Sequence, residues 1–227
     1  MVLKSDHSSK KKNILIIEDH PIFRLGLREL INQEPDLLIC GEAQRVSEGL
    51  KAVAETSPDL VIVDINLNGR DRLDLIESIK QQDATLPVLV VSMYDESVYV
   101  ERAMRRGASG YIVKHNALET VVKAIEDILS GKTAISEPHK SHLLQKYMNP
   151  HVKDTHGNIL ESLTEREMEV FLLIGKGKTT GQAARVLNLS AKTIGTYREH
   201  IKSKLNLKNA AELLREAYHY VDTHSGV

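Results

Sequence analysis

Asn13-Ile14-Leu15-Ile16-Ile17-Glu18-Asp19-His20-Pro21 sets four aliphatic residues directly before two carboxylates. An unbroken aliphatic run of this length reads as a strand buried on both faces. Glu18 and Asp19 then stand at its carboxyl end. The pattern recurs downstream. Leu37–Cys40, Leu60–Val63, Val88–Val91 and Gly110–Val113 are further short apolar runs. Between them lie FRLGLRELI, VSEGLKAVAE, LDLIESIKQ and VYVERAMRR, each with apolar residues three and four apart, the period of an amphipathic helix. A last helix, ALETVVKAIEDILS, has Asn116 as its expected cap, Glu119 three residues on, and Gly131 as its stop. Strands alternating with helices predict an α/β fold: a doubly wound, five-stranded parallel sheet covered on both faces.

In such sheets ligands bind beyond the carboxyl ends of the strands, where strand order reverses. Those ends carry Glu18 and Asp19, then Asp64, Ser92 and Lys114. Three carboxylates at one edge repel each other unless a cation sits among them. Mg²⁺ fits, because it takes hard oxygen ligands and keeps part of its water shell. Asp64 beside the metal could attack a phosphoryl group. Mg²⁺ and Lys114 would neutralise the phosphoryl oxygens, and the Ser92 hydroxyl would donate to one of them.

The chain has 227 residues, a formal net charge of −1 and 41% apolar residues, an ordinary composition for one large or two small domains. Cys40 is its one cysteine, so no intrachain disulfide forms, which fits a reducing cytoplasm. No apolar run approaches the ~20 residues of a membrane span. Residues 1–12 are polar and read as a flexible tail, with no signal-peptide core.

Residues 132–160 change character: polar, broken by Pro138, Pro150 and Gly157, with one short helix expected over His142–Met148. His139, His142, His151 and His156 match no common metal-site spacing and read as solvated linker residues. From residue 161 to 227 the signals are all helical. Thr164 and Glu167 form a capping box before EREMEVFLLIGKG. TTGQAARVLNL gives a short helix, Asn188-Leu189 a tight turn, and Ser190 a cap for AKTIGTYREHIKSKL. A fourth helix spans Asn209 to Val221. Two short helices joined by a tight turn describe a helix-turn-helix, whose second helix enters the major groove of double-stranded DNA. Between Lys176 and Lys208 stand eight Lys or Arg residues and one acid, Glu199, a balance suited to phosphate contacts.

With IIEDHP, VIVDI, VVSMYD and GASGYIVK in this order, residues 13–131 resemble a receiver domain of two-component response regulators, a flavodoxin-like fold. The resemblance implies phosphotransfer to Asp64 from a sensor histidine kinase. It implies Mg²⁺ held by Glu18, Asp19, Asp64 and the backbone carbonyl of Asn66. It also implies a switch in which Tyr111 follows the Ser92 hydroxyl inward. LTEREMEV and LNLSAKTIGTYREHIKSKLNLKNAAEL resemble the LuxR-type DNA-binding domain, an all-α four-helix unit. Together the two resemble the NarL/FixJ class. The expected DNA-contacting residues are Thr179, Thr180, Lys192, Thr193, Thr196, Tyr197, Arg198 and Lys202. A homodimer is expected when the protein is phosphorylated or DNA-bound, with the fourth helix as one contact.

The sequence departs from the family in places. Arg72 stands where a small glycine is common, after a turn at Asn68-Gly69. The scaffold helix reads Thr180-Gly181-Gln182-Ala183-Ala184 in place of the common Asn-Lys-Glu-Ile-Ala, and Gly195 and Tyr197 are unusual on the recognition helix. The expected function is a phosphorylation-controlled transcription factor, not an enzyme, in the cytoplasm and away from membranes. The alternative is a phosphorylation-independent DNA-binding regulator with a degenerate receiver. A phosphatase using Asp64 would need a substrate cap or further acids, which the helical half does not offer.

Overall fold

A computed structural model of the chain describes residues 11–67, 73–93, 95, 97–148, 160 and 162–224. The chain divides into two compact units, residues 1–145 and 146–227. The first has five parallel strands in the order β2-β1-β3-β4-β5: β1 Lys12–Ile17, β2 Leu37–Ala43, β3 Leu60–Asp64, β4 Val88–Ser92 and β5 Gly110–Val113. Five helices cover it: α1 Pro21–Gln33, α2 Val46–Thr56, α3 Leu73–Gln82, α4 Ser97–Arg105 and α5 Lys114–Leu129.

The aliphatic runs form the centre of the sheet because every side chain in them finds a helix. Alternate residues face opposite ways. Ile14, Ile16 and Ile62 join Leu27 and Ile31 of α1 and Val121, Ile125 and Ile128 of α5 in one core. Ile17 faces the other side, against α2, so closely that a Cβ on Gly49 would lie 2.5 Å from its Cδ1. Each such aliphatic side chain contributes about 1.5–3 kcal/mol through burial. The sheet order reverses at β1, with β2 on one side and β3 on the other.

Several boundaries differ from the sequence reading. β1 begins at Lys12, inside the segment read as a tail, because Asp36 accepts its N–H at 2.8 Å and Asp59 pairs with its ammonium at 2.9 Å. Residues 1–10 of that tail lie outside the described residues, as do Asn68, Gly69 and Arg72. β2 runs three residues past Cys40, since its pairing with β1 continues to Ala43. Helix α5 starts at Lys114, with Val113 as a cap that offers no side chain. Asn116 is therefore inside the first turn and not the cap. Gly131 does end the helix: it takes φ +84°, and the N–H groups of Gly131 and Lys132 return to the Ile128 and Asp127 carbonyls.

The linker carries helix α6, Glu137–Met148, which starts five residues before the expected His142. His139 is 9% exposed and hydrogen-bonded on both ring nitrogens, so it is not a solvated linker residue. His151 and His156 lie outside the described residues, and so does the side chain of His142.

The second unit holds α7 Glu165–Gly175, α8 Thr180–Val186, α9 Ala191–Lys204 and α10 Ala210–His224. Thr164 and Glu167 make the expected capping box, and Ser190 caps α9 by accepting from the Thr193 N–H at 3.0 Å. The turn between α8 and α9 is tight because Asn188 adopts φ +52° and the Leu189 N–H returns to the Ala184 carbonyl. Phe171 and Tyr220 stack across the core with centroids 5.9 Å apart.

Two glycines here are expected to respond oppositely to alanine. A Cβ on Gly175 would overlap the Ala217 carbonyl oxygen of α10, so Gly175→Ala is expected to destabilise the helical unit by about 1–3 kcal/mol. A Cβ on Gly195 meets nothing within 4 Å, so Gly195→Ala is expected to stabilise it by about 0.5–1 kcal/mol. Urea unfolding of the three proteins checks both signs.

Candidate functional site

The site lies where the sheet order reverses. Register pairs Ile17 with Val63, Asp64 with Val91, and Ser92 with Val113. The residues just past those pairs therefore gather at one edge: Glu18 and Asp19, Asp64, Ser92 and Lys114. Glu18, Asp64 and Ser92 are buried, at 1%, 3% and 0% exposure.

Lys114 ties this edge together. Its ammonium donates to Asp64 Oδ2 at 2.9 Å and lies 2.7 Å from Glu18 Oε2. The Glu18 contact is a close ion pair. The ammonium also sits 4.8 Å from the centroid of Phe23 of α1. Backbone groups fix the other carboxylate oxygens. The Asn66 N–H donates to Asp64 Oδ1 and the His20 N–H to Glu18 Oε1, both at 2.9 Å. Arg24 of α1 donates to the Glu18 carbonyl at 2.7 Å and pairs with Glu42, which clamps the end of β1.

Burial and the nearby charge of Asp64 raise the Glu18 carboxyl above its usual range, despite Lys114. Burial works against the charged form of Lys114, but Asp64 and Glu18 outweigh it and hold the ammonium above its usual range. Two carboxylates of the expected metal set, Glu18 and Asp64, share this one ammonium. Glu18 and Asp64, buried beside Asp19, make a set of hard oxygen donors that suits a divalent cation such as Mg²⁺.

Ligand atoms of Glu18, Asp19 and His20 all lie within 4.8 Å of one another. The sequence reading gave His20 no role. Asp64, expected in the metal set, lies outside this trio; its carboxylate is turned to Lys114 and Asn66. Tyr111 is 2% exposed.

In the helical unit, α9 buries Ile194 and Ile201 and exposes Lys192, Thr196, Glu199 and His200. Several expected DNA-contacting residues hold the helices as well. Thr179 and Gln182 form a capping box at α8 that the sequence reading missed, although Thr-x-x-Gln is its signature. Arg198 donates to the Thr180 hydroxyl at 3.4 Å, which joins α9 to α8. Thr193 shares a hydrogen bond with Ser190, Thr196 donates to the Lys192 carbonyl, and Lys202 pairs with Glu199 at 2.9 Å. Tyr197 is half-buried on the same helix.

Residues 14–126 match the family model for the response regulator receiver domain, and residues 161–217 match that for bacterial regulatory proteins of the luxR family. The transcriptional activator ExaE of Pseudomonas putida is 37% identical over 90% of this chain and 94% of its own. The nitrate/nitrite response regulator NarL of Escherichia coli strain K12 is 29% identical over 88% of this chain and 91% of its own. Among solved structures, an RcsB response regulator from Salmonella typhimurium superposes with a TM-score of 0.56 at 25% identity, covering 94% of this chain and 99% of that one.

The chain belongs to the NarL/FixJ-class response regulators.

It is a two-component transcriptional response regulator with a receiver and a LuxR-type DNA-binding domain. Among its described residues, no helix is long and apolar enough to cross a membrane.

One buried carboxylate holds the recognition helix on its scaffold. Glu167 Oε2 accepts from the Thr164 N–H at 2.8 Å and from Lys204 at 2.6 Å, and Lys204 also donates to the Ser162 carbonyl at 2.9 Å. Burial works against the charged carboxylate, but Lys204 and Thr164 prevail and hold its pKa below the usual glutamate range. A depressed carboxylate stabilises the fold above its unfolded-state pKa, and that stabilisation is lost as pH falls through the folded value. The helical unit is therefore expected to weaken on acidification below pH ~4.3. Glu167→Gln keeps the cap but loses the charge. It is expected to cost about 1 kcal/mol at pH 7, the exposed side of Lys204 reducing the usual charge-assisted value, and to flatten the acid limb. Urea unfolding at pH 7 and pH 4 measures both effects.

Proposed function

We propose that Asp64 is the phosphoacceptor and that its phosphorylation controls DNA binding by α9. The observation that carries this is a buried carboxylate at the sheet edge, with one oxygen held by Lys114 and the other by a backbone N–H. These contacts fix the group, each engaging one lone pair of its oxygen and leaving that oxygen a second. The phosphoryl donor is the phosphorylated histidine of a sensor kinase. As the P–O bond to Asp64 forms, the P–N bond breaks and the imidazole keeps the electron pair. Lys114 stays beside the phosphoryl oxygens, and the Ser92 hydroxyl donates to one of them. Glu18, Asp19, Asp64 and the Asn66 carbonyl would hold Mg²⁺, with His20 beside them. When bound, Mg²⁺ supplies positive charge against the transferring group.

DNA recognition is assigned to the exposed face of α9, with Lys192, Thr193, Thr196, Tyr197, Arg198 and Lys202. Thr179 and Thr180 at the start of α8 face the phosphate backbone. Thr196 gives its hydroxyl proton to the Lys192 carbonyl, so toward a base it offers its oxygen as an acceptor and its methyl group. Leu214 and Tyr218, four apart and exposed on α10, make an apolar strip suited to a second copy of the chain. Double-stranded DNA, a sensor histidine kinase and this homodimer are the partners the reading requires, and the cytoplasm is where it places them.

Acetyl phosphate with Mg²⁺ is expected to add one phosphoryl mass to the wild type and none to Asp64→Asn. Asp19→Asn should weaken Mg²⁺ binding and slow the gain. A wild type that gains no mass would favour the degenerate receiver. On DNA, Lys202→Ala is expected to weaken every site alike and lower the salt slope by about one, whereas Thr196→Ala should re-rank sites. Binding titrations at several salt concentrations on a selected site library separate the two; equal scaling of all sites would remove Thr196 as a base reader.

A further inference from the structure

The chain does not simply leave the receiver after α5. Past Gly131 it runs beside β5, and Ala134 bridges to Gly110 in parallel fashion. The Tyr111 N–H donates to the Ala134 carbonyl at 2.7 Å, and the Ala134 N–H donates to the Ser109 carbonyl at 3.3 Å. A Cβ on Gly110 would lie 2.8 Å from the Ala134 oxygen, so a side chain there would push this segment off the strand. Five residues on, His139 in the first turn of α6 turns back to the receiver. Its Nε2 meets the Asp95 carbonyl at 2.8 Å, and its Nδ1 meets the Ser136 hydroxyl at 2.7 Å. A carbonyl only accepts, so Nε2 carries a proton toward Asp95. Asp95 Oδ1 stands 3.8 Å from the same nitrogen.

The two attachment points have a common meaning. Asp95 follows Ser92 by three residues in the loop between β4 and α4, and Ala134 is bonded to Tyr111 itself. Ser92 and Tyr111 are the pair assigned to sense the phosphoryl group. We propose that the His139–Asp95 hydrogen bond is the joint that passes the state of the phosphorylation site to the linker. This rests on the reading of Asp64 as phosphoacceptor. The Asp95 carbonyl belongs to a loop, so its direction follows the loop's conformation. If Ser92 moves toward a phosphoryl group, the three-residue connection draws Asp95 with it. A displacement of about 1 Å takes a 2.8 Å contact beyond hydrogen-bonding range. The first turn of α6 then loses its side-chain anchor while the Ala134 bridge still holds the chain on β5. His139 is a positioning residue: it touches neither the phosphoryl group nor DNA.

The test is amide hydrogen exchange of the full chain, with and without acetyl phosphate and Mg²⁺, while intact mass follows Asp64 occupancy. In the wild type, phosphorylation is expected to speed exchange at residues 140–144 roughly two- to tenfold, the loss of one hydrogen bond. In His139→Ala these amides should exchange fast from the start and not respond, although Asp64 still takes the phosphoryl group. His139→Gln, whose amide can still donate, should restore part of the response. Should His139→Ala fail to fold, Ser136→Ala loosens the same ring and should reduce the response. Full Asp64 occupancy with unchanged exchange at residues 140–144 in the wild type would overturn the joint and leave the phosphoacceptor reading standing. A wild-type response in His139→Ala would do the same. Failure of Asp64 to gain mass would overturn both.

Discussion

Two buried carboxylates share one ammonium at the carboxyl edge of this sheet, and the receiver is arranged around that compromise. Glu18 directly follows β1 and Asp64 ends the neighbouring β3, each after a run of four buried aliphatic residues. Charges at such depth are costly unless paired. Lys114 supplies the pairing from the start of α5, directly after β5 and two strands beyond β3, so the ion pairs close only when β1, β3, β4 and β5 are in register. Burial and the charge of Asp64 hold the Glu18 carboxyl above its usual range in spite of that pairing. The cost is tolerated because the aliphatic strands beneath are buried on both faces. Stability comes from those layers and not from the charged edge.

The helical unit applies the same device to a different end. Glu167 is buried and closes a cap, yet it also reaches Lys204 at the far end of α9. Arg198 reaches Thr180 on α8. These contacts fix the angle at which α9 is presented, and part of its polar inventory is spent on them. The residues on the exposed face, Lys192 and Thr196 foremost, are set for contact because others hold the helix behind them.

Much of this was legible in the sequence wherever local chemistry decides structure. The strands announced themselves because parallel strands buried on both faces need unbroken aliphatic runs, and Ile14–Ile17, Leu60–Val63 and Val88–Val91 are such runs. The Thr164–Glu167 box and the Ser190 cap are contacts across three residues, readable without any tertiary knowledge. What stayed hidden depends on distant partners. Lys12 looks like a tail residue until Asp36 and Asp59 meet it. Asn116 has the chemistry of a cap, but α5 begins earlier, directly after β5.

His139 is the sharpest example of this limit. In a polar, proline-broken stretch a histidine reads as solvated, and its sequence neighbours support that reading. Its two partners lie on either side of the question: Ser136 is local and could have been guessed, whereas Asp95 is 44 residues away. A buried histidine bonded to a loop carbonyl contributes little to the fold on its own, about one net hydrogen bond. Its position gives it consequence. The covalent path from Ser92 to Asp95 is three residues, and from His139 the helix leads directly away along the chain toward the DNA-binding half. A coupling of one hydrogen bond suits a switch, because coupling free energies between sites run to about 1–3 kcal/mol. A stronger joint would lock the linker to the receiver in either state, and a weaker one would carry no signal.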